Sequence, residues 1–117
     1  MDLTEAWKNA KGKPPIVCLC GSTRFVEKFF EVGWDYTLKG YIVLSIGVVK
    51  TADKDGAHGA EAISQNCADM LDELHRRKID LADEVFVINK DGYIGKSTSG
   101  EIEYANSLGK PIKYLED

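Results

Sequence analysis

The feature that most constrains the fold is an uninterrupted apolar run, Ile16-Val17-Cys18-Leu19-Cys20, which ends directly at Gly21. A strand with one wet face alternates apolar and polar residues, whereas a continuous run predicts a strand that is covered on both faces. Such a strand is typical of the centre of a parallel sheet. The rest of the chain must then supply helices for both faces of that sheet.

Strand and helix patterns alternate along the whole chain. The predicted elements are a short helix over residues 1–10, strands over 16–20, 41–46, 84–88 and 112–115, and helices from Ser22 or Thr23 to Lys39, over 60–78 and from Thr98 to about Gly109. In the second long helix the apolar side is predicted to carry Ile63, Cys67, Met70, Leu71 and Leu74. This alternation predicts an α/β fold: a small Rossmann-like (flavodoxin-like) three-layer sandwich with a parallel sheet in the strand order 2-1-3-4.

Length and charge limit the possible classes of protein. With 117 residues, we expect an N-terminal extension over 1–15 and a single α/β domain over 16–117. The net charge of −4 argues against binding to a nucleic acid polymer. No apolar run approaches the ~20 residues that span a bilayer, and residues 1–13 lack the apolar stretch of a signal peptide. We therefore expect a cytoplasmic protein with no membrane partner.

The cysteines do not have the spacing of a metal site. The chain contains three of them, Cys18, Cys20 and Cys67, with neither a CxxC motif nor a Cys/His ligand spacing. This pattern favours free thiols in a reducing compartment. From the sequence we expect no metal and no cofactor.

The strand order predicts where a ligand would bind. The chain reverses direction between strands 1 and 3, and open α/β sheets bind ligands outside the carboxyl ends of the strands at such a point. Gly21 allows close approach of the backbone, and Arg24 can grip a phosphate or carboxylate in a bidentate manner. The alternative is an ordinary helix start, capped by Ser22 and followed by an exposed arginine.

A second loop, after strand 3, leads into a helix through Gly95-Lys96-Ser97-Thr98-Ser99-Gly100-Glu101. Free backbone N–H groups and the helix dipole suit an anion there, so Ser97 and Thr98 could bind one while Glu101 faces the adjoining reacting atom. The alternative is a capping box, Thr98-Ser99-Gly100-Glu101, in which Glu101 only caps the helix.

His75 is harder to place at this site. A helix that runs antiparallel to the strands would carry its C-terminal end, and His75 with it, to the opposite edge of the sheet. The topology therefore favours a solvated His75 near a helix C-terminus.

Several motifs together resemble the nucleoside 2-deoxyribosyltransferase superfamily. They are Cys20-Gly21-Ser22-Thr23-Arg24, Ala82-Asp83-Glu84-Val85, and Ser97-Thr98-Ser99-Gly100-Glu101-Ile102-Glu103-Tyr104-Ala105 followed by Gly109-Lys110-Pro111. The first motif is most similar to the 2′-deoxynucleoside 5′-phosphate N-hydrolase branch. The resemblance covers residues 16–115.

The resemblance implies a Rossmann-like homodimer that cleaves N-glycosidic bonds, with Glu101 as the nucleophile on C1′ of the sugar. By the same resemblance, Gly21, Ser22, Arg24, Ser97 and Thr98 hold the sugar and the 5′-phosphate. His75 stands where the family has an aspartate that helps to protonate the base, and could act as the general acid. Two further positions depart from the family: Gly95, which we also expect among the substrate-binding residues, replaces a serine or aspartate, and Cys18 replaces a tyrosine.

We therefore expect hydrolysis or transfer at the N-glycosidic bond of a (deoxy)nucleoside 5′-monophosphate. Two alternatives remain: a non-catalytic nucleotide-binding or sensing protein of the same fold, and an interaction module in which Glu101 is only a cap. Trp7, Trp34 and Tyr41 are the candidate aromatics of a dimer interface.

Overall fold

The computed structural model describes residues 12–47 and 65–116. Within these ranges the chain forms β1 (Ile16–Gly21), α1 (Val26–Leu38), β2 (Ile42–Leu44), α2 (Gln65–Leu81), β3 (Glu84–Ile88), α3 (Lys96–Ser107) and β4 (Ile112–Tyr114). Expectations for the helix over 1–10, for Trp7, for Ile63 and for most of the loop over 47–59 lie outside the described residues. In the ranges given, no helix is long and apolar enough to cross a membrane.

The sheet is parallel throughout and has the order β2-β1-β3-β4, which confirms the predicted order 2-1-3-4. β1 lies in the interior of the sheet, where Cys18 pairs with Leu44 on one side and with Val85 on the other. At the far end of β1, Gly21 pairs with Ile88, the last residue of β3. The carboxyl ends of β1 and β3 are therefore adjacent, and we call this side of the sheet the carboxyl edge.

Helices cover both faces of the sheet, which confirms the three-layer architecture. Alternate residues of a strand point to opposite faces. Val17 and Leu19 accordingly pack with α1, whereas Cys18 and Cys20 pack with the helices on the other face. The core on the α1 face contains Val17, Leu19, Phe29, Val32, Tyr36 and Ile88, and the core on the α2–α3 face contains Cys18, Cys20, Ile79, Ala82, Val85, Val87 and Ala105.

The predicted apolar side of α2 was wrong. Met70, Leu71 and Leu74 are exposed, and the side chains that the helix buries are those of His75 and Ile79. The helix also continues to Leu81 rather than ending at residue 78. A helix of 17 residues is about 25 Å long, whereas the six residues of β1 span about 20 Å, so about one turn of α2 reaches past the strand beneath it.

The candidate interface aromatics differ in their surroundings. Trp34 is 61% exposed on α1. Tyr41 is partly buried, because its ring meets that of Tyr36 edge-on and its hydroxyl donates to Glu84. The homodimer remains a prediction.

Candidate functional site

The turn after β1 passes very close to the end of β3. A Cβ atom at Gly21 would lie 2.9 Å from the Ile88 carbonyl oxygen, which explains why this position carries no side chain. The Ser22 hydroxyl then accepts a hydrogen bond from the Arg24 backbone N–H at 3.2 Å and caps the short 3₁₀ turn Thr23–Phe25. Ser22 thus caps the turn that leads into α1, whereas α1 itself follows Phe25 without a side-chain cap, so the predicted cap is confirmed for the turn only.

The turn after β1 and the loop after β3 meet through Tyr93. The guanidinium carbon of Arg24 lies 4.0 Å from the centroid of the Tyr93 ring, and the Phe25 ring meets the same ring edge-on at 5.9 Å. The Tyr93 hydroxyl in turn lies 3.3 Å from the place that a Cβ atom of Gly95 would occupy. Sequence reasoning did not single out Tyr93, whose only local signal is an aromatic side chain in a loop.

The predicted start of α3 was wrong. Gly95 is the N-cap residue, no side chain caps the helix, and Lys96 is its first residue. Thr98 therefore lies in the first turn rather than at the N-cap, and Glu101 lies in the second turn, so the capping box does not form. Ser97 is exposed while Thr98 is buried. Ser99 donates to the Gly95 carbonyl, so the backbone N–H groups that precede it are the ones left without an intrahelical partner.

Glu101 lies on the buried side of α3, where it faces α2. Only 8% of its surface is exposed. Its Oε1 atom lies 3.8 Å from Nε2 of His75, which is itself 6% exposed. The expectation that His75 lies at the opposite edge was wrong. Because α2 continues to Leu81, His75 lies inside the helix and points onto β1.

Two thiols of β1 lie beside the pair formed by Glu101 and His75. The Sγ atom of Cys20 lies 3.4 Å from Nε2 of His75, and the Sγ atom of Cys18 lies 3.6 Å from it. Both cysteines are fully buried. We call Cys18, Cys20, His75 and Glu101 the buried cluster. The spacing of residues i and i+2 in a strand explains why both thiols point to one face.

The members of the buried cluster shift one another's protonation. The hydrogen bond with Cys20, followed by that with His75, lowers the pKa of the Cys18 thiol to about 6 against the opposing effect of burial. The hydrogen bond with Cys18 and burial together raise the pKa of Cys20. Burial would lower the pKa of His75, but the hydrogen bond and charge of Cys18 and the charge of Glu101 raise it above its ordinary value. Burial raises the pKa of Glu101, although His75 and Cys20 oppose that effect.

The candidate site therefore has an exposed part and a buried part. The exposed part is the carboxyl edge, with Arg24, Ser97, the N-cap Gly95 and the first turn of α3. The buried part is the buried cluster, in which a carboxylate lies beside an imidazole. This pair could supply a nucleophile and a proton donor. The ligand atoms of Cys18, Cys20 and His75 all lie within 4.8 Å of one another, so a single metal ion could also bridge them.

Comparison with known proteins gives no relative for this chain: no family model, curated protein or solved structure matches it. Function is therefore argued from the residues of the site.

Proposed function

We propose that the chain binds a deoxynucleoside 5′-monophosphate at the carboxyl edge and cleaves its N-glycosidic bond, by hydrolysis or transfer, with Glu101 as the nucleophile. The observation that carries this proposal is the buried pair of Glu101 and His75, whose Oε1 and Nε2 atoms lie 3.8 Å apart. Attack on C1′ requires a carboxylate beside the sugar, and departure of the base requires a proton donor.

Arg24 and the first turn of α3 support a phosphate at the other end of the ligand. The Arg24 guanidinium lies over the Tyr93 ring, which does not neutralise its charge, so Arg24 remains able to make a bidentate bond to an anion. The first turn of α3 adds free backbone N–H groups and the positive end of the helix dipole near Ser97 and Thr98. These donors favour a nucleotide over a free nucleoside.

The proposed reaction has two steps. In the first, a bond forms between Glu101 and C1′ while the bond from C1′ to the base nitrogen breaks, and the base leaves with the bonding electrons. The departing base takes a proton, for which His75 is the donor that the family resemblance implies. In the second step, water or the nitrogen of another base attacks C1′, loses a proton and releases the Glu101 carboxylate.

The direct test is incubation of the chain with each deoxynucleoside 5′-monophosphate, followed by chromatographic measurement of free base. Glu101→Gln keeps the shape of the side chain but removes the attacking oxyanion, so we expect base release to fall by at least about 100-fold. Glu103→Gln is the matched control, because Glu103 is exposed on the same helix. A folded wild-type chain that releases no base from any of these nucleotides would contradict the proposal.

A second candidate is nucleotide binding without turnover. It is favoured by the two thiols of the buried cluster, because Cys18 and Cys20 already give His75 close partners in the absence of substrate. In this case calorimetry would show that both the wild type and Glu101→Ala bind a deoxynucleoside monophosphate, while neither releases base.

A further inference from the structure

We propose that Cys18, Cys20 and His75 bind one Zn²⁺ ion, and that Glu101 faces the fourth position of the site. The binding of the metal is independent of the proposed function. Only its consequence for turnover, described below, rests on that function.

The two distances from Nε2 of His75 to the sulfur atoms are those between neighbouring ligands of one tetrahedral zinc ion. With Zn–S near 2.3 Å and Zn–N near 2.0–2.1 Å, a tetrahedral angle places the sulfur and nitrogen atoms about 3.5 Å apart. The two Sγ atoms lie 3.4 and 3.6 Å from Nε2 of His75. The two sulfur atoms lie within 4.8 Å of each other, and a tetrahedral ion places them about 3.8 Å apart, so they need to approach each other by at most about 1 Å.

Hydrogen bonds join Cys18 to Cys20 and His75, and Cys20 to Glu101, but Nε2 of His75 has more close polar neighbours than it can bond. The Nε2 atom of an imidazole has one hydrogen or one lone pair, so it makes one good hydrogen bond. Here it has three polar neighbours, two thiols and the Glu101 carboxylate, the last of which lies 3.8 Å away, beyond hydrogen-bond range. A central cation would satisfy all of these groups at once.

The charges also favour a metal at this depth. Two thiolates balance the charge of Zn²⁺, so the ion and its three ligands together have no net charge, and the Glu101 carboxylate at the fourth position is the one charge that remains. The two thiol protons are released to solvent when the ion binds. Sulfur and nitrogen donors select Zn²⁺ over Mg²⁺ or Ca²⁺, which prefer oxygen.

The scaffold holds the ligands in place before metal binds. Both cysteines lie on an interior strand that is hydrogen-bonded on each side, and His75 is anchored one helical turn from the fully buried Ile79. Because the thiols are fully buried, we expect the ion to enter while the chain folds rather than afterwards. Bound zinc would engage His75 and attract Glu101, so it would inhibit the proposed cleavage reaction.

The first experiment refolds the full chain with one equivalent of Zn²⁺, removes loose metal by gel filtration and measures zinc per chain. We expect about one zinc per chain in the wild type. Mutation of a residue that only supports a metal ligand lowers metal affinity by about 10–100-fold. Cys18→Ala, Cys20→Ala and His75→Gln each remove a ligand itself, so their zinc affinity should fall by more than that. Cys67→Ser is the matched control, because it also removes one thiol but lies outside the cluster, and it should retain the ion.

A second measurement does not depend on how well the variants fold. Refolding the wild type with Co²⁺ should give the visible bands of a tetrahedral ion and a thiolate-to-metal charge-transfer band. Absence of that band would overturn the proposal, as would equal zinc retention by Cys18→Ala and the wild type. A loss of zinc in Cys67→Ser equal to that in Cys18→Ala would overturn it as well, because the metal would then lie elsewhere.

The outcomes separate this proposal from the proposed function. Zinc retention by the zinc-refolded chain, together with no base release by the metal-free chain, would leave the metal site intact and contradict only the cleavage reaction. Base release by a chain that binds no zinc would support the cleavage reaction and contradict only the metal site.

Discussion

The guanidinium carbon of Arg24 lies 4.0 Å from the centroid of the Tyr93 ring, which joins the turn after β1 to the loop after β3. An aromatic ring attracts the cation without neutralising it. Arg24 therefore keeps its charge and its in-plane donors at the carboxyl edge, where the proposed phosphate would bind. The arrangement resembles a preformed half of an anion site, whose other half is the first turn of α3.

The first prediction concerns this arginine. Arg24→Ala should weaken the binding of a deoxynucleoside 5′-monophosphate by about 1.5–3 kcal/mol, the range for hydrogen bonds to charged groups, and should change the binding of the corresponding nucleoside much less. Isothermal titration calorimetry with the nucleotide and its nucleoside measures both effects on the same protein.

Lys13→Ala is the control for net charge, since Lys13 is exposed before β1 and so lies at the opposite edge of the sheet. It should leave both affinities unchanged. An equal loss for nucleotide and nucleoside in Arg24→Ala would show that Arg24 does not contact the phosphate.

The sheet could be predicted from the sequence because a strand that is buried on both faces consists of consecutive apolar residues, as residues 16–20 do. Alternation of strands with helices then left few possible orders, and the order 2-1-3-4 was confirmed. The buried side of α2 could not be predicted in the same way. Met70, Leu71 and Leu74 are exposed because α2 turns the side with His75 and Ile79 toward the sheet, and this rotation of the helix is a property of the assembled layers.

The site was predictable only in part. Adjacent carboxyl ends of β1 and β3 follow from the strand order, so the meeting of Arg24 with the second loop could be expected. The pairing of His75 with Glu101 could not be derived from topology, because the residue of a helix that meets a given strand depends on where that helix ends. Cys18 and Cys20 point to the same face because they are two residues apart in a strand, which the sequence shows. Their contact with His75 of α2 depends on the packing of that helix and could not be predicted.

The second prediction concerns two glycines with opposite surroundings. Gly21→Ala should destabilise the chain by about 1–3 kcal/mol, because its Cβ atom would lie 2.9 Å from the Ile88 carbonyl oxygen and 3.2 Å from Cζ of Phe29. Gly33→Ala should instead stabilise it by about 0.5–1 kcal/mol, because the new methyl group would make ordinary contacts at 3.8 and 3.9 Å in the middle of α1. Urea unfolding of both variants measures the difference, and equal effects of the two substitutions would contradict the close approach at Gly21.

Two tyrosines share one carboxylate at the start of β3. The hydroxyl of Tyr36 donates to Glu84 at 3.0 Å and that of Tyr41 at 3.2 Å, at the end of the sheet opposite the site. Burial, followed by the hydrogen bond and charge of Glu84, raises the pKa of Tyr36, and burial with the charge of Glu84 raises that of Tyr41. Both phenols therefore remain neutral in the folded chain at a pH where they ionise in the unfolded chain.

The third prediction follows from the sign of these shifts. A raised folded pKa contributes stability that is fully present below the unfolded pKa of about 10 and is lost as the pH rises from there through the folded pKa, by up to about 1.4 kcal/mol per pH unit for each phenol. Tyr36→Phe should cost about 0.5–1.5 kcal/mol near neutral pH through loss of one hydrogen bond, but its stability should fall less steeply than that of the wild type above about pH 10. Urea unfolding at several pH values measures the two slopes, with Tyr114→Phe, a 42% exposed tyrosine of β4, as the control that should keep the wild-type slope. Parallel curves for the wild type and Tyr36→Phe would show that Tyr36 ionises equally in the folded and unfolded chains, because a group with equal pKa values in both states adds nothing to the pH dependence.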